Sequence, residues 1–312
     1  MDGAAAAKFS DPILTARGER RATVALRDPQ TLWFNTGTLC NITCASCYIE
    51  SSPTNDSLVY LTADEVSDYL GQLSERGWGV REIGFTGGEP FMNPEMIEMA
   101  RRALAAGHDA LVLTNAMRPM MRPRVRDGIA DLVRAYGDRL TFRVSLDHHS
   151  AALHDHERGA GAFDRTLEGL RWLTSIGARL AVAGRAEMAE SETAARAGYA
   201  RLFAAEGLPI DATDPGACVL FPEMDASVDV PEITTDCWGI LGKSPDSVMC
   251  ASSRMVVKRK GAERPAVIAC TLLPYDPQFE MGATLADAEG EVALNHPHCA
   301  KFCVLGGASC SA

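Results

Sequence analysis

The sequence predicts an α/β chain: a partial (β/α)6 TIM-like barrel followed by a small cysteine-rich C-terminal domain. Three observations carry that prediction. Between Thr31 and Ala212 short apolar runs alternate with helical patterns in six βα units, the signature of a parallel sheet and fewer than the eight that close a barrel. The polar and thiol-bearing residues of interest follow the strands, so they share the carboxyl-end face where barrel active sites sit. Beyond about Gly216 the alternation stops and cysteines return at 218, 237, 250, 270, 299, 303 and 310. The expected divisions are an N-terminal lead-in over 1–28, the barrel over 29–215 and the cysteine-rich domain over 216–312.

Residues 1–28 are rich in Ala and Arg and read as a loose lead-in with room for one edge strand. The first barrel strand, 32–37, opens on Leu32-Trp33-Phe34 and feeds a loop carrying Cys40, Cys44 and Cys47. Thr62, with Glu65 three residues on, forms a capping box for a helix whose apolar face is Val66, Leu70 and Leu73 and which Gly77 ends. Strand two is Glu82-Ile83-Gly84-Phe85. After it, Asn93-Pro94 offers a cap and a first-turn proline for the second helix. Strands three to six fall at 110–113, 141–144, 180–183 and 208–212, with helices near 125–136, 163–176 and 192–205 between them.

Cys40, Cys44 and Cys47 are spaced C-x-x-x-C-x-x-C. Thiols this close can converge on one metal centre, whereas disulfide geometry makes pairing among them awkward. A structural zinc wants four protein ligands and an iron-sulfur cubane normally takes four thiolates. A set of three therefore suggests an iron left open to something that is not protein. By spacing alone, zinc or buried structural cysteines remain alternatives. Gly87 and Gly88 lack a Cβ, so backbone can approach a ligand there, and Glu89 can accept hydrogen bonds from an ammonium group. Asn115 and Ser145, at the ends of strands three and four, suit ribose or carboxylate contacts, or simple strand-end capping.

Taken together, the cysteine triplet, Phe85-Thr86-Gly87-Gly88-Glu89-Pro90 and Ser145-Leu146-Asp147 resemble the radical S-adenosylmethionine (SAM) superfamily. The resemblance implies a 4Fe-4S cluster on Cys40, Cys44 and Cys47 whose fourth iron is chelated by the amino and carboxylate groups of SAM. It also implies reductive cleavage of SAM to methionine and a 5'-deoxyadenosyl radical, which abstracts a substrate hydrogen. Gly87, Gly88 and Glu89 would then face the amino group of SAM. Arg158, in His154-Asp155-His156-Glu157-Arg158-Gly159, resembles the arginine near the methionine carboxylate, a task that suits a bidentate guanidinium, with a surface salt bridge as the alternative. Asp147 is the one candidate for a catalytic group, as a base or as a ribose-orienting carboxylate. One departure stands out: the position before the third cysteine, aromatic in many relatives, is Ser46, with Tyr48 following, which implies a changed adenine wall.

The run from Cys250 through Met255-Val256-Val257-Lys258 and Gly261 to Val267-Ile268-Ala269-Cys270 reads as a β-hairpin with thiols at both outer ends. With Cys299, Cys303 and Cys310 beyond it, the layout resembles the auxiliary-cluster appendage of radical SAM enzymes, called Twitch with one cluster and SPASM with two. Cys250, Cys270, Cys299 and Cys303 are the expected ligands of a second 4Fe-4S cluster, with Cys237 and Cys310 as alternates. These are too few for two fully ligated cubanes, so one auxiliary cluster is expected, with a zinc site or a partly ligated second cluster as alternatives. Cys218 reads as a small structural hydrophobe. Histidines 148, 149, 154 and 156 invite a second metal site, although short polar clusters in loops are usually solvated or capping groups.

The 312 residues, 46% of them hydrophobic, are enough for a large α/β domain with an appendage. A net charge of −11 argues against a nucleic-acid footprint, and the local run Lys258-Arg259-Lys260 reads as the solvated rim of the hairpin. No run approaches a membrane span of about 20 apolar residues. Residues 1–8 lack the basic start and apolar core of a signal peptide. Thiol-rich and expected in a reducing cytoplasm, the chain reads as an enzyme that modifies a peptide or small molecule oxidatively. Its auxiliary cluster would accept an electron or bind substrate, and a flavodoxin or ferredoxin would serve as reductant. The rival reading is a non-catalytic iron-sulfur or zinc electron-transfer module, which would need neither an open iron nor a Gly-Gly-Glu-Pro cradle.

Overall fold

Apolar runs rich in β-branched and aromatic residues build the strands, and the amphipathic segments between them build helices that cover the sheet. The computed structural model describes residues 7–186, 190–222, 225 and 227–307. In chain order the strands are β1 (Thr23–Val24), β2 (Thr31–Asn35), β3 (Glu82–Thr86), β4 (Asp109–Thr114), β5 (Leu140–Ser145), β6 (Arg179–Arg185), β7 (Cys218–Phe221), β8 (Ser253–Val257), β9 (Ala266–Ile268), β10 (Glu280–Gly282) and β11 (Val292–Ala293). The helices are α1 (Ala63–Arg76), α2 (Met96–Ala105), α3 (Pro123–Tyr136), α4 (Ala151–Arg158), α5 (Ala162–Ser175), α6 (Glu192–Glu206) and α7 (Cys237–Leu241).

Strands β2 to β7 lie side by side in sequence order, all parallel. On the other edge β8 pairs parallel to β2, and β9 and β10 follow antiparallel, so a single sheet of nine strands runs β10-β9-β8-β2-β3-β4-β5-β6-β7. The expected hairpin is therefore present as β8–β9, and it extends the barrel sheet instead of forming a sheet of its own. Its basic rim is paired: Lys258 meets Glu65 at 2.5 Å, Arg259 meets Glu280 at 2.7 Å and Lys260 meets Asp56 at 2.6 Å.

Helix α1 shows how local sequence builds each unit. Thr62 and Glu65 make the capping box, and Val66, Tyr69, Leu70 and Leu73 are its buried stripe. Tyr69 meets Phe34 of β2 edge-on at 6.2 Å, and Phe34 stacks on Phe85 of β3 at 5.9 Å. Burial of each such side chain contributes roughly 1.5–3 kcal/mol.

Four expectations need correction. Residues 208–212 are not a strand. Leu208, Ile210 and Ala212 are buried as irregular chain, and the last parallel strand is β7, which begins beyond the boundary expected at 215/216. Arg196 of α6 fastens this crossover by donating to the carbonyls of Ala212 (2.8 Å) and Cys218 (3.1 Å). The second helix begins at Met96, and Asn93 caps the turn before it instead, its Oδ1 accepting from Glu95 N–H (2.9 Å) while its Nδ2 donates to the carbonyls of Thr36 (3.2 Å) and Leu61 (2.8 Å). The polar run 151–158, read as loop, is helix α4, with His154 as its buried residue. The lead-in is not loose where it is described: β1 pairs antiparallel with β11, and Arg21 is fully buried against Glu232 at 2.6 Å. Arg21 also donates to the carbonyls of Asp11, Leu14 and Leu294. Among the described residues no helix is long and apolar enough to cross a membrane.

Candidate active site

The loop after β2 carries the three thiols and is held in place from several directions. Cys40 N–H donates to Ser52 O (3.0 Å) and Ala45 N–H to Glu157 O at the end of α4 (2.8 Å). Ser46 Oγ donates to the Glu157 carboxylate (2.9 Å), and Arg185 donates to Ser46 O (3.1 Å). Ser46, expected as a changed adenine wall, thus ties the loop to α4 and, with Tyr48, lines the cavity. Cys40, Cys44 and Cys47 line one cavity of about 180 Å³ at the carboxyl ends of the parallel strands.

Gly87, Gly88, Asn115, Ser145, Asp147 and Arg158 line the same cavity. The glycines serve packing as much as ligand approach. Gly87 has φ +139°, and a Cβ there would stand 2.5 Å from Gly37 O; at Gly88 it would stand 2.3 Å from Leu39 O. The motif lies directly on the cysteine loop, with Gly88 N–H donating to Gly37 O and Glu89 N–H to Leu39 O. Glu89, expected against the amino group of SAM, is not among the residues that line the cavity. Its side chain is turned inward and accepts from Phe91 N–H (3.2 Å), Thr114 Oγ (2.8 Å) and Asn115 N–H (2.8 Å). Burial pushes its carboxyl up to about 7 against those bonds. Asn115 in turn donates to Asn41 Oδ1 (2.9 Å) and lies 3.9 Å from Cys40 Sγ.

Asp147 and Arg158 form a bidentate pair, Nε to Oδ2 at 2.6 Å and Nη2 to Oδ1 at 3.0 Å, with Arg185 Nε 3.5 Å from Oδ1. Burial alone would raise the Asp147 carboxyl, but the charge and hydrogen bonds of Arg158, with Arg185 behind, hold it below the usual range. An ionised carboxylate gripped by two arginines is a poor proton acceptor, so the base reading of Asp147 gives way to a clamp that orients Arg158. Burial pushes the Cys40 thiol up to about 12, helped by Glu89 and the other two cysteines, and raises Cys44 against the Arg158 charge. Such thiols ionise readily only when a cation binds them.

Residues 34–184 match the family model of the radical SAM superfamily. That stretch is just under half of the 312 residues. The AdoMet-dependent heme synthase of Methanosarcina barkeri is 33% identical over 136 residues, 43% of this chain and 36% of that protein. The antilisterial bacteriocin subtilosin biosynthesis protein AlbA of Bacillus subtilis is 30% identical over 145 residues, 46% of this chain and 30% of the relative. The chain thus spans about a third of the length of these curated relatives. The crystal structure of Streptococcus suis SuiB bound to S-adenosylmethionine superposes with a TM-score of 0.59 at 12% identity, over 82% of this chain and 63% of that one, a likeness of fold.

The radical SAM family implies a 4Fe-4S cluster and SAM, and the residues fit both. Among the described residues, the one trio of candidate ligand atoms all within 4.8 Å of one another is His148, His149 and Glu190. The three sulfurs are therefore more widely spaced than the ligands of a single ion, as suits a body in which each thiolate takes a different iron. Ser51 Oγ, buried on the cavity wall, has no hydrogen-bond partner among the described residues. The histidines are otherwise engaged. His148 Nδ1 accepts from Ser150 N–H (2.9 Å), which leaves the proton on Nε2, 2.8 Å from Glu190; His149 Nε2 reaches the same oxygen at 2.8 Å. A metal would need that Nε2 lone pair. His154 is buried against Phe163 and His156 is exposed.

Cys250, Cys270, Cys299 and Cys303 line a second, smaller cavity of about 20 Å³. Leu272 belongs to the walls of both cavities, and Phe302, beside Cys303, stacks on Phe221 at 5.6 Å on the wall of the first. Cys237 does not line the second cavity; its sulfur lies 3.4 Å from Thr234 N and Oγ. Cys310 lies outside the described residues. Cys218 is fully buried in β7.

Sequence reading missed Arg143 and Arg185, which line the first cavity, and Glu157, which anchors the cysteine loop. Arg185 ends β6 as Ser145 ends β5, so the rule that selected Ser145 could have found it. Ser51 and Glu157 carried no such signal.

Proposed function

We propose that the chain is a radical SAM enzyme that modifies a peptide or a small molecule oxidatively in a reducing cytoplasm, drawing electrons from a flavodoxin or ferredoxin. The observation that carries this reading is the convergence of three differently placed motifs, the thiol triplet, the Gly-Gly-Glu-Pro turn and the Asp147–Arg158 clamp, on one cavity. When bound on Cys40, Cys44 and Cys47, the cluster supplies the electron that cleaves SAM to methionine and a 5'-deoxyadenosyl radical able to abstract a substrate hydrogen. The protein's own task is placement. Asp147 orients Arg158 toward the carboxylate of SAM, Glu89 locks the Gly87-Gly88 backbone and Asn115 against the cysteine loop, and the apolar wall of Leu272, Phe221 and Phe302 limits the water in the cavity.

The same reading assigns Cys250, Cys270, Cys299 and Cys303 to one auxiliary 4Fe-4S cluster in a Twitch-like appendage. With four thiolates it has no open iron, and Leu272 stands between it and the first cavity, which favours accepting an electron over binding substrate. The name of AlbA, a bacteriocin biosynthesis protein, supports the peptide option, and that of the heme synthase the small-molecule option.

The test is anaerobic reconstitution with iron and sulfide, then dithionite and SAM. 5'-Deoxyadenosine should form in wild type and be absent from Cys40→Ala. Cys299→Ala should lower iron by about four per chain yet still form 5'-deoxyadenosine. No 5'-deoxyadenosine above the Cys40→Ala control would favour a non-catalytic metal module.

A further inference from the structure

We propose that Tyr275, supplied by the segment that also carries Cys270, is a positioning residue for the first thiol site: it holds the turn that aims a backbone N–H at Cys47 Sγ. The inference rests on reading Cys40, Cys44 and Cys47 as cluster ligands. Directly after Cys47 the chain makes a tight turn with Glu50 at φ +51°, a left-handed conformation that costs a residue other than glycine roughly 1–3 kcal/mol and persists only where its surroundings hold it. Four hydrogen bonds do so. Glu50 N–H donates to Cys47 O (3.0 Å), Asn55 Nδ2 to Glu50 O (2.9 Å), Tyr275 OH to Ile49 O (2.8 Å), and Asn55 Nδ2 also to Tyr275 OH (3.3 Å). The product of the turn is Ser51 N–H donating to Cys47 Sγ at 3.3 Å.

Tyr275 comes from 226 residues away in sequence, and the five steps from Cys270 to Tyr275 pass through Leu272, which walls both cavities. A hydrogen bond to a ligating sulfur draws off electron density, stabilises the reduced cluster and raises its potential. Loss of the tyrosine hydroxyl leaves the buried Ile49 carbonyl without its donor and lets Glu50 relax toward negative φ. That relaxation swings Ser51 N–H away from the sulfur. The segment that bears an auxiliary ligand thereby sets the electronic poise of the SAM-facing site.

The test is Tyr275→Phe in the full chain, reconstituted anaerobically, with iron content, a redox titration followed by EPR, and SAM affinity from the SAM-induced change in the EPR signal. Iron should stay at the wild-type level and the midpoint potential of the SAM-responsive signal should shift downward, while the apparent Kd for SAM should change less than about twofold, because Tyr275 does not line the cavity. Asn55→Ala, which removes the second donor from the same turn, should shift the potential in the same direction, and it is read in place of Tyr275→Phe if that variant does not load iron. A wild-type potential in an iron-replete variant overturns the inference and leaves the functional reading standing. A wild-type chain that forms no SAM-responsive cluster overturns both.

Discussion

Replacing Glu89 with alanine is the sharpest probe of how the site is held together. The substitution removes the acceptor for three donors, two of them backbone N–H groups, of Phe91 and Asn115, in a setting where Glu89 is 1% exposed. A net contribution of about 1 kcal/mol per hydrogen bond, with more for each N–H left buried and unpaired, predicts a loss of roughly 3–5 kcal/mol, a large part of the 5–15 kcal/mol typical of a domain. The loss should depend on pH. Burial raises the Glu89 carboxyl to about 7, so its contribution is fully present below the ordinary carboxylate range and declines as pH rises through about 7. Alanine has no such dependence, so the deficit of the variant should be larger by about 1–2 kcal/mol at about pH 6 than at about pH 8.5. Anaerobic thermal unfolding of both proteins at the two pH values measures it. Equal deficits at both, or an alanine variant as stable as wild type, would refute the picture of Glu89 as a buried tie.

Two further substitutions probe the supports of the fold and site. Arg21→Ala should cost about 3–5 kcal/mol in chemical denaturation, because it removes the fully buried cation paired with Glu232 and the donor to three carbonyls, leaving the carboxylate with only the N–H groups of Phe9 and Ala16; an unchanged midpoint would mean that the lead-in is dispensable. Gly88→Ala drives a Cβ into Leu39 O and should displace the cysteine loop, lowering the iron bound per chain at a stability cost of only about 1–3 kcal/mol, whereas full iron loading would show that the contact relaxes.

Much of this was legible from short-range patterns. The Thr62 capping box, the strands at 82–86, 109–114 and 140–145, and the C-x-x-x-C-x-x-C spacing are local features, and periodicity and propensity read them well. The apolar alternation at 208–212 misled because burial, not strand pairing, was its cause, and the pairing β6 required came from Cys218–Phe221. Helix α4 was missed because a run as polar as His154-Asp155-His156-Glu157 shows little apolar periodicity.

Which residues carry chemistry could be read along the chain, since ligand type and spacing are properties of a few neighbouring positions. Which partner each of them holds could not. Glu89 turning to Asn115, Asp147 taking up Arg158 and Arg185, and Tyr275 reaching Ile49 are unions of distant segments. Hydrogen bonds and ion pairs of that range exist only once the sheet has brought strand ends together, because the entropy of closing such long loops is met by the packed core and not by the contacts themselves.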